Sequence, residues 1–187
     1  MNLPARLIYT MGVSLDGYIT DPDGGLEWTE PDPELFRFIT DQTRELAAYV
    51  MGRRLYETML YWETADQLDG DAREWAAIWK PLPKVVFSTT LSSVEENARL
   101  ATGSLVEEIE RLRAEPADGD IGIGGATLAG EAARLGLIDE YRPRVHPMLV
   151  GGGTPFYPER RADLELVETR TFGSETVYLR YRVTASP

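Results

Sequence analysis

The sequence contains no cysteine and a single histidine, His146. Without cysteine the chain cannot form a disulfide scaffold, a thiolate zinc site or an iron–sulfur cluster, and it has no cysteine nucleophile. One histidine cannot build a multi-histidine metal site. Its position before Pro147, at the end of a predicted strand, favours a structural role. We therefore expect no bound metal.

Positive charge is scarce, because 19 Lys and Arg stand against 31 Asp and Glu, for a formal net charge of −12. General nucleic-acid binding and docking on anionic lipid both need a basic face, so neither nucleic acid nor a membrane is expected as a partner. No apolar run is long enough to span a bilayer, and the first residues lack the pattern of a signal peptide. The expected location is the cytoplasm.

The order of apolar segments along the chain predicts the fold class. The length of 187 residues, 43% of them hydrophobic, indicates one domain over residues 1–187. Strands and helices alternate until two strands finish the chain, which predicts an α/β fold: a mostly parallel central sheet, an antiparallel C-terminal edge and helices on both faces. The predicted helices cover residues 34–45, 53–61, 71–80, 104–113 and 127–135, and the predicted strands cover 6–13, 47–51, 84–88, 121–123, 140–148, 164–171 and 175–183.

One strand-to-helix junction combines a glycine with two arginines. The strand ending at Gly52 is followed at once by Arg53 and Arg54, which open a helix. Free N–H groups at a helix start, together with guanidinium donors, suit a phosphate. The alternative is that both arginines are solvated helix residues paired with Glu57.

Two further junctions also suit an anion. Residues 121–127 (I-G-I-G-G-A-T) run from a strand through a glycine pair into a helix, so that backbone can approach a ligand closely. Ser88 and Thr89 place hydroxyls directly after another strand. A tight turn and a turn-capping cluster are the respective alternatives. Because parallel strands end at one edge of a sheet, the three junctions together predict a phosphorylated, dinucleotide-like ligand.

A predicted loop over residues 14–33 is strongly acidic. Seven Asp and Glu and no base fall between positions 16 and 34. Asp16 and Glu34 lie nearest to predicted structured elements, so they are the candidates for a proton donor or for an anchor of a ring nitrogen. A solvated acidic loop is the alternative. The charge favours a neutral or cationic heterocycle, such as a pterin or a pyrimidine, over an anionic substrate.

Five motifs in fixed order give the chain a family resemblance that covers about residues 6–183. The sequence resembles dihydrofolate-reductase-like proteins, and most of all the reductase domain of the bifunctional riboflavin-biosynthesis deaminase–reductase and its stand-alone bacterial relatives. The motifs are M-G-V-S-L-D-G-Y-I at 11–19, M-G-R-R-L-Y-E at 51–57, I-G-G-A-T-L-A at 123–129, L-I-D-E at 137–140 and P-M-L-V-G-G-G-T-P-F at 147–156.

The resemblance implies a dihydrofolate-reductase-like fold that binds NADPH. It implies that Gly52, Arg53 and Arg54 face the cofactor's phosphates and that Ser88 and Thr89 lie at its adenosine end. The residues implied to cradle the pyrophosphate are Gly124, Gly125, Ala126, Thr127 and Leu128. It also implies a mobile loop over residues 14–28 that closes over the nicotinamide. Asp16 matches the aspartate of the S-L-D-G motif, and Glu34 lies near the acid that anchors the pterin in dihydrofolate reductases.

The resulting hypothesis is an NADPH-dependent reductase that transfers hydride to a C=N or C=O bond of a small pterin- or pyrimidine-like substrate. The alternatives are a non-catalytic nucleotide-binding module and a dimeric protein of the same fold without activity. A homodimer is open in each case, because the apolar C-terminal strands could pair two chains.

Overall fold

A computed structural model describes residues 4–185 except 69, 96 and 117. The strands of the described part are β1 Leu7–Tyr9, β2 Gly12–Ser14, β3 Leu46–Gly52, β4 Lys84–Phe87, β5 Ala98–Leu100, β6 Asp120–Gly124, β7 Glu140–Tyr141, β8 Arg144–His146, β9 Asp163–Thr171 and β10 Val177–Ala185. The helices are α1 Pro33–Arg44, α2 Arg53–Thr64, α3 Gly70–Trp79, α4 Leu105–Ala114 and α5 Ala126–Arg134, with a 3-10 turn at Glu27–Thr29. None of the helices described is long and apolar enough to cross a membrane.

All strands belong to one mixed sheet. Strands β5, β4, β3, β6 and β1 lie side by side in parallel, and β1 is also parallel to β7. Strand β10 runs antiparallel to β7 and β8, and β9 pairs with β10 as the outer strand of a hairpin. The mostly parallel sheet with an antiparallel C-terminal edge is therefore confirmed.

Helices cover both faces of the sheet, as alternation along β3 shows. Ala48 and Val50 pack into a core cluster that includes α4 and α5. Tyr49 and Met51 point to the opposite face and pack with residues of α2 and α3. Successive strand residues face opposite sides of a sheet, so these two clusters lie on opposite faces. The helices predicted on both faces are confirmed.

Three strand predictions differ from the structure. The segment predicted as one strand over 6–13 is divided into β1 and β2, and the segment predicted over 140–148 is divided into β7 and β8. Pro143 accounts for the second break, since proline has no N–H to donate to the ladder. Strand β5 has no predicted counterpart, because its three half-buried residues carry too short a pattern.

A buried carboxylate, Glu140, links the parallel strands to β10. Its side chain is fully buried and accepts hydrogen bonds from Arg6 (Nη1–Oε1 2.7 Å), Arg142 (Nη2–Oε2 2.6 Å) and Arg180 (Nε–Oε2 2.8 Å). Burial alone would raise the pKa of Glu140, but Arg180 and Arg142 lower it to about 2. This acid is therefore ionised at neutral pH and is the shared counter-charge of three arginines.

Candidate functional site

The three junctions singled out in the sequence lie side by side at one edge of the sheet. Strands β6, β3 and β4 are adjacent and parallel, with Met51 opposite Gly124 and Gly52 opposite Phe87. Their carboxyl ends therefore meet, and the segments that follow them form one continuous surface. Ligands of α/β sheets bind at such an edge.

Two helices begin at this edge without a side-chain cap. Helix α2 follows Gly52 and helix α5 follows Gly125, and neither start has a capping side chain. By contrast, Asp32 caps α1, and Ser104 forms a capping box at α4. A Cβ built at Gly52 or Gly125 would meet nothing within 4 Å, so both helix starts are open. Their first-turn N–H groups are therefore available to an anion.

A cavity of about 550 Å³ lies at the start of α2, and no residue of the 124–128 junction lines it. Arg53, Ser88, Thr89 and Gly103 line it, so the structure brings the first and third junctions together. Arg53 has only a loose contact with Glu57, at 3.9 Å between Nε and Oε1. The exposed Arg54 does not line the cavity. One arginine of the pair is thus placed for a ligand and the other faces solvent.

The other predicted cofactor residues differ in what they can offer. The hydroxyl of Ser88 accepts hydrogen bonds from the N–H groups of Thr90 (3.2 Å) and Leu91 (3.0 Å), so it also serves the turn. Thr127 is exposed in the first turn of α5, whereas the Leu128 side chain is buried in the core. Leu128 can therefore contribute only its backbone to a ligand. Ala126, which opens α5, is half-buried.

Asp16 holds two loops together. Its carboxylate accepts hydrogen bonds from the N–H groups of Val150 (3.2 Å) and Gly151 (2.8 Å). The hydroxyl of Ser14 and then these two N–H groups lower the pKa of Asp16 from its ordinary value. At neutral pH the exposed side chain is an anion that accepts hydrogen bonds. Its role as a proton donor stays a prediction, and the lowered pKa weighs against it.

The first part of the acidic loop is joined to residues 148–156 by further backbone hydrogen bonds. Leu15 donates to Met148, Ile19 donates to Thr154, and Phe156 donates to Gly17, each at 2.8 or 2.9 Å. A Cβ at Gly153 would collide with the carbonyl oxygen of Thr20, so only glycine permits this approach. Residues 15–20 are therefore fixed along the 148–156 segment. Closure of the predicted mobile loop would have to involve the residues after them.

Glu34 fixes the start of α1 to the β9–β10 hairpin. Its carboxylate accepts hydrogen bonds from the N–H of Gly173 and the guanidinium of Arg170, both at 3.1 Å. These contacts lower the pKa of Glu34, with the Gly173 N–H as the largest cause. Neither Glu34 nor Asp16 lines the cavity at the start of α2. The predicted role of Glu34 as a donor or ring anchor stays a prediction.

A second cavity, of about 220 Å³, lies on the face of the sheet covered by α1, α2 and α3. Its walls include Trp75, Trp79, Leu55 and Tyr49, so it is largely apolar. The tryptophan rings stack at 5.1 Å and pack in the core. Burial raises the pKa of Tyr49 to about 12, so its hydroxyl stays protonated.

Sequence reasoning missed two polar residues of this cavity, Arg144 and Thr10. Arg144 is half-buried, and its Nη1 donates to the hydroxyl of Thr10 at 2.8 Å. Burial lowers the pKa of Arg144, but a guanidinium remains charged. The predicted strand over 140–148 also contains Glu140, Arg142 and His146, so nothing in its sequence distinguishes Arg144 as a site residue. Within the residues described, no cluster of three or more His, Asp or Glu is arranged to hold a metal ion.

Comparison with known proteins identifies the family. Residues 5–178 match the RibD C-terminal domain, the reductase domain of the riboflavin-biosynthesis deaminase–reductase. The chain belongs to the RibD C-terminal domain family. Within this family's fold, the edge of β6, β3 and β4 and the cavity beside it form the candidate active site.

Two curated proteins and three solved structures resemble the chain over almost its whole length. The uncharacterized proteins YyaP and YwjB of Bacillus subtilis (strain 168) are 30% and 25% identical; the alignments cover 94% of this chain, with 94% of YyaP and 97% of YwjB. A structure from Shewanella sp. PV-4, whose name places it in riboflavin biosynthesis, has 25% identity and a TM-score of 0.77, with 96% of this chain and 99% of that one covered.

The other two structures share the fold at lower identity. A pyrimidine reductase-like protein from Corynebacterium diphtheriae is 13% identical with a TM-score of 0.71, with 97% of this chain and 93% of that one covered. A diaminohydroxyphosphoribosylaminopyrimidine deaminase/5-amino-6-(5-phosphoribosylamino)uracil reductase from Thermotoga maritima is 14% identical with a TM-score of 0.67. Here 97% of this chain matches 57% of the larger protein. All three confirm the α/β fold of the family.

Proposed function

We propose that the protein is an NADPH-dependent reductase that transfers hydride to a C=N or C=O bond of a small, pyrimidine-like heterocycle. The observation that carries the proposal is the pair of uncapped helix starts at Gly52 and Gly125, which follow adjacent parallel strands, with the cavity lined by Arg53 at the first of them. Such an edge suits a ligand with more than one phosphate. Membership in a family of reductase domains supplies the reaction class.

The donor groups at this edge fit a phosphorylated dinucleotide. We assign Gly52 and Arg53 to a phosphate, with Arg54 as a longer-range positive charge. Ser88 and Thr89 flank the adenosine end, and the pyrophosphate lies on the backbone of residues 124–128, that is, on Gly124, Gly125, Ala126, Thr127 and Leu128. The bound NADPH supplies the hydride, while the protein positions it and excludes water.

The small cavity supports a single-ring substrate over a pterin. A cavity of roughly 150 Å³ is enough to hold benzene, so about 220 Å³ accommodates one ring with its substituents. The names of two similar structures, a pyrimidine reductase-like protein and a uracil reductase, agree with a pyrimidine. Asp16 and Glu34 remain the candidate acids, and we assign them to positioning, because both accept hydrogen bonds from backbone N–H groups.

Three wider predictions accompany this function. The continuous sheet from β1 to β10 supports one domain over residues 1–187. A cytoplasmic location stays a prediction. We also propose a homodimer through β9, because all nine of its residues are exposed and its outer edge has no strand partner among the residues described. An open edge strand is a ready surface for a second chain.

The test is an equilibrium titration with NADPH and with NADH, followed by assays of NADPH oxidation with a panel of pyrimidines and pterins. Thr127→Asp adds a negative charge in the first turn of α5, where it favours the helix but repels phosphate. Thr127→Asn is the matched neutral control. We expect NADPH to bind the wild type and Thr127→Asn, and to bind Thr127→Asp about tenfold more weakly.

Each rival function has its own outcome in this experiment. NADPH binding without oxidation by any substrate would favour a nucleotide-binding module. Failure to bind either cofactor would reject the reductase and favour a dimeric protein of the same fold. Equal NADPH affinity in Thr127→Asp and Thr127→Asn would reject the phosphate assignment at α5.

A further inference from the structure

We propose that Arg144 binds a carboxylate or another planar oxyanion carried by a single flat ring, and that this contact selects the substrate. The inference rests on the proposed function, because it concerns the cavity assigned above to the substrate. It names a chemical class that the acidic sequence of the loop does not predict.

Two neighbouring arginines of the cavity differ in their charge partners. Arg142 and Arg144 both line it. Arg142 is paired with the carboxylate of Glu140, which accepts from its Nε (2.9 Å) and its Nη2 (2.6 Å). Arg144 donates only through Nη1 to Thr10, and no carboxylate within the described residues lies at ion-pair distance from it. Its Nε and Nη2 groups remain available as a two-pronged donor, the geometry that matches a carboxylate.

No acid lines this cavity among the described residues. The seven acids at positions 16–34 therefore do not reach it, although they dominate the charge of that segment. Burying an uncompensated cation is costly, and an anionic ligand removes that cost, whereas a cationic ring would increase it. The expectation of a neutral or cationic substrate follows from the sequence of a loop that lies elsewhere.

The other walls of the cavity contribute shape more than donors. The indole N–H groups of Trp75 and Trp79 have almost no accessible surface, so they do not open into the cavity. The amide of Gln42 already donates to the hydroxyl of Tyr178 at 2.8 Å. Arg144 therefore supplies the free charged donors of the cavity, and the two stacked indoles add a flat apolar wall. A planar ring with oxygen acceptors on its edge matches both features.

The cavity also borders the proposed cofactor edge. A Cβ added at Gly124 would collide with Leu55 and would lie 2.5 Å from the hydroxyl of Tyr49, and both of these side chains line the cavity. A ring held by Arg144 therefore lies on the other side of these two residues from the glycine junction. This is the neighbourhood in which a hydride acceptor has to be held.

The experiment compares matched acids and neutral analogues by calorimetry on the full chain, with and without NADPH. The probes are benzoate against benzamide and orotate (uracil-6-carboxylate) against uracil. We expect each acid to bind at least about tenfold more tightly than its neutral partner. Arg144→Met should abolish this preference, Arg144→Lys should keep part of it, and the exposed control Arg161→Met should leave it unchanged.

The outcomes separate this inference from the proposed function. Equal affinity for acids and neutral analogues, or an unchanged preference in folded Arg144→Met or Arg144→Lys protein, would overturn the role of Arg144. If NADPH still bound in that case, the reductase would stand. Arg144-dependent binding of acids without any NADPH binding would instead support the oxyanion site and reject the reductase.

Discussion

At the scale of single residues, Arg53 and Arg54 are neighbours in sequence whose side chains lie in different places. Both are exposed, but only Arg53 lines the cavity at the start of α2. Its contact with Glu57 is long, so little has to be broken before it meets a ligand. The pair therefore offers a matched comparison in which the change in charge is the same and the position differs.

We predict that Arg53→Ala weakens NADPH binding about tenfold, the effect of losing one charge-assisted hydrogen bond, while Arg54→Ala changes it by less than about twofold. Titrations at low and moderate salt measure both effects. The smaller, long-range effect of Arg54 should vanish first as salt rises. Equal losses for the two variants at moderate salt would contradict the assignment of Arg53.

What the sequence can predict at this scale depends on how local the cause is. Gly52 and Gly125 could be found because a glycine between a strand and a helix is a local pattern. Arg144 could not be found in this way, since its lack of a carboxylate partner depends on Glu140 being paired with other arginines. Glu140 accepts from Arg6, 134 residues before it, and from Arg180, 40 residues after it, so its partners are set by the tertiary fold.

At the scale of elements, the loop after β2 is fixed by residues 148–156, with Asp16 as the side-chain contribution. If Asp16 only positions this contact, removing its carboxylate should loosen the segment without removing a titrating group from the reaction. If Asp16 donates the proton, the pH profile must change. The two roles therefore differ in their readouts.

We predict that Asp16→Ala increases amide hydrogen exchange at Val150 and Gly151, because both N–H groups lose their acceptor. Asp16→Asn should restore part of the protection, since its amide oxygen can still accept a hydrogen bond. In both variants the pH dependence of kcat should keep its wild-type shape. If the fall of kcat at high pH disappeared in Asp16→Asn, Asp16 would instead be the proton donor.

For the hairpin of β9 and β10, the sequence predicts the bounds of the strands well, but it does not predict how exposed their side chains are. Its two strands appear as predicted, but nothing in their pattern shows that every residue of β9 is exposed. Alternation predicts which face is apolar, whereas the lack of a covering helix depends on where the other elements pack. The exposed Leu164, Leu166 and Val167 are the result.

We predict that the protein is a dimer at micromolar concentration and that Leu166→Arg shifts it to a monomer with little change in melting temperature. Leu135→Arg is the matched control, because both side chains are 49% exposed and Leu135 lies at the end of α5. Size-exclusion chromatography with light scattering measures the masses. A wild-type monomer, or a dimer that survives Leu166→Arg, would contradict the β9 interface.

At the scale of the whole molecule, the sheet is held across its two halves by the ion cluster around Glu140. The carboxylate sits on β7, and its partners come from the segment before β1, from β10 and from Arg142. In the folded state this fully buried acid is ionised by its three guanidinium contacts, whereas in the unfolded chain it has an ordinary pKa. The stability of the fold should therefore depend on pH.

The sign of this dependence follows from the lowered pKa. The pKa of Glu140 is about 2 in the folded protein against an ordinary value of 4.5, so the contribution is complete above about pH 4.5 and is lost as the pH falls towards 2. The shift corresponds to roughly 3 kcal/mol of unfolding free energy. Glu140→Gln should cost about this much at pH 7, or somewhat more, because buried arginines lose their counter-charge.

Urea unfolding at several pH values between 7 and 3 tests this prediction. The curves of wild type and Glu140→Gln should converge as the pH falls, since protonation removes from the wild type the same charge that the variant lacks. Glu168→Gln is the control. That exposed acid has a weak contact with Arg180, at 4.0 Å, so its loss should leave the wild-type curve unchanged.

A second buried acid, Glu108, also makes the wild type sensitive to low pH. Arg99 and the N–H of Thr102 lower its pKa to about 2 against the effect of burial. The difference between the Glu140→Gln and wild-type curves isolates Glu140, and a difference that stays constant with pH would show that its contribution is not ionic.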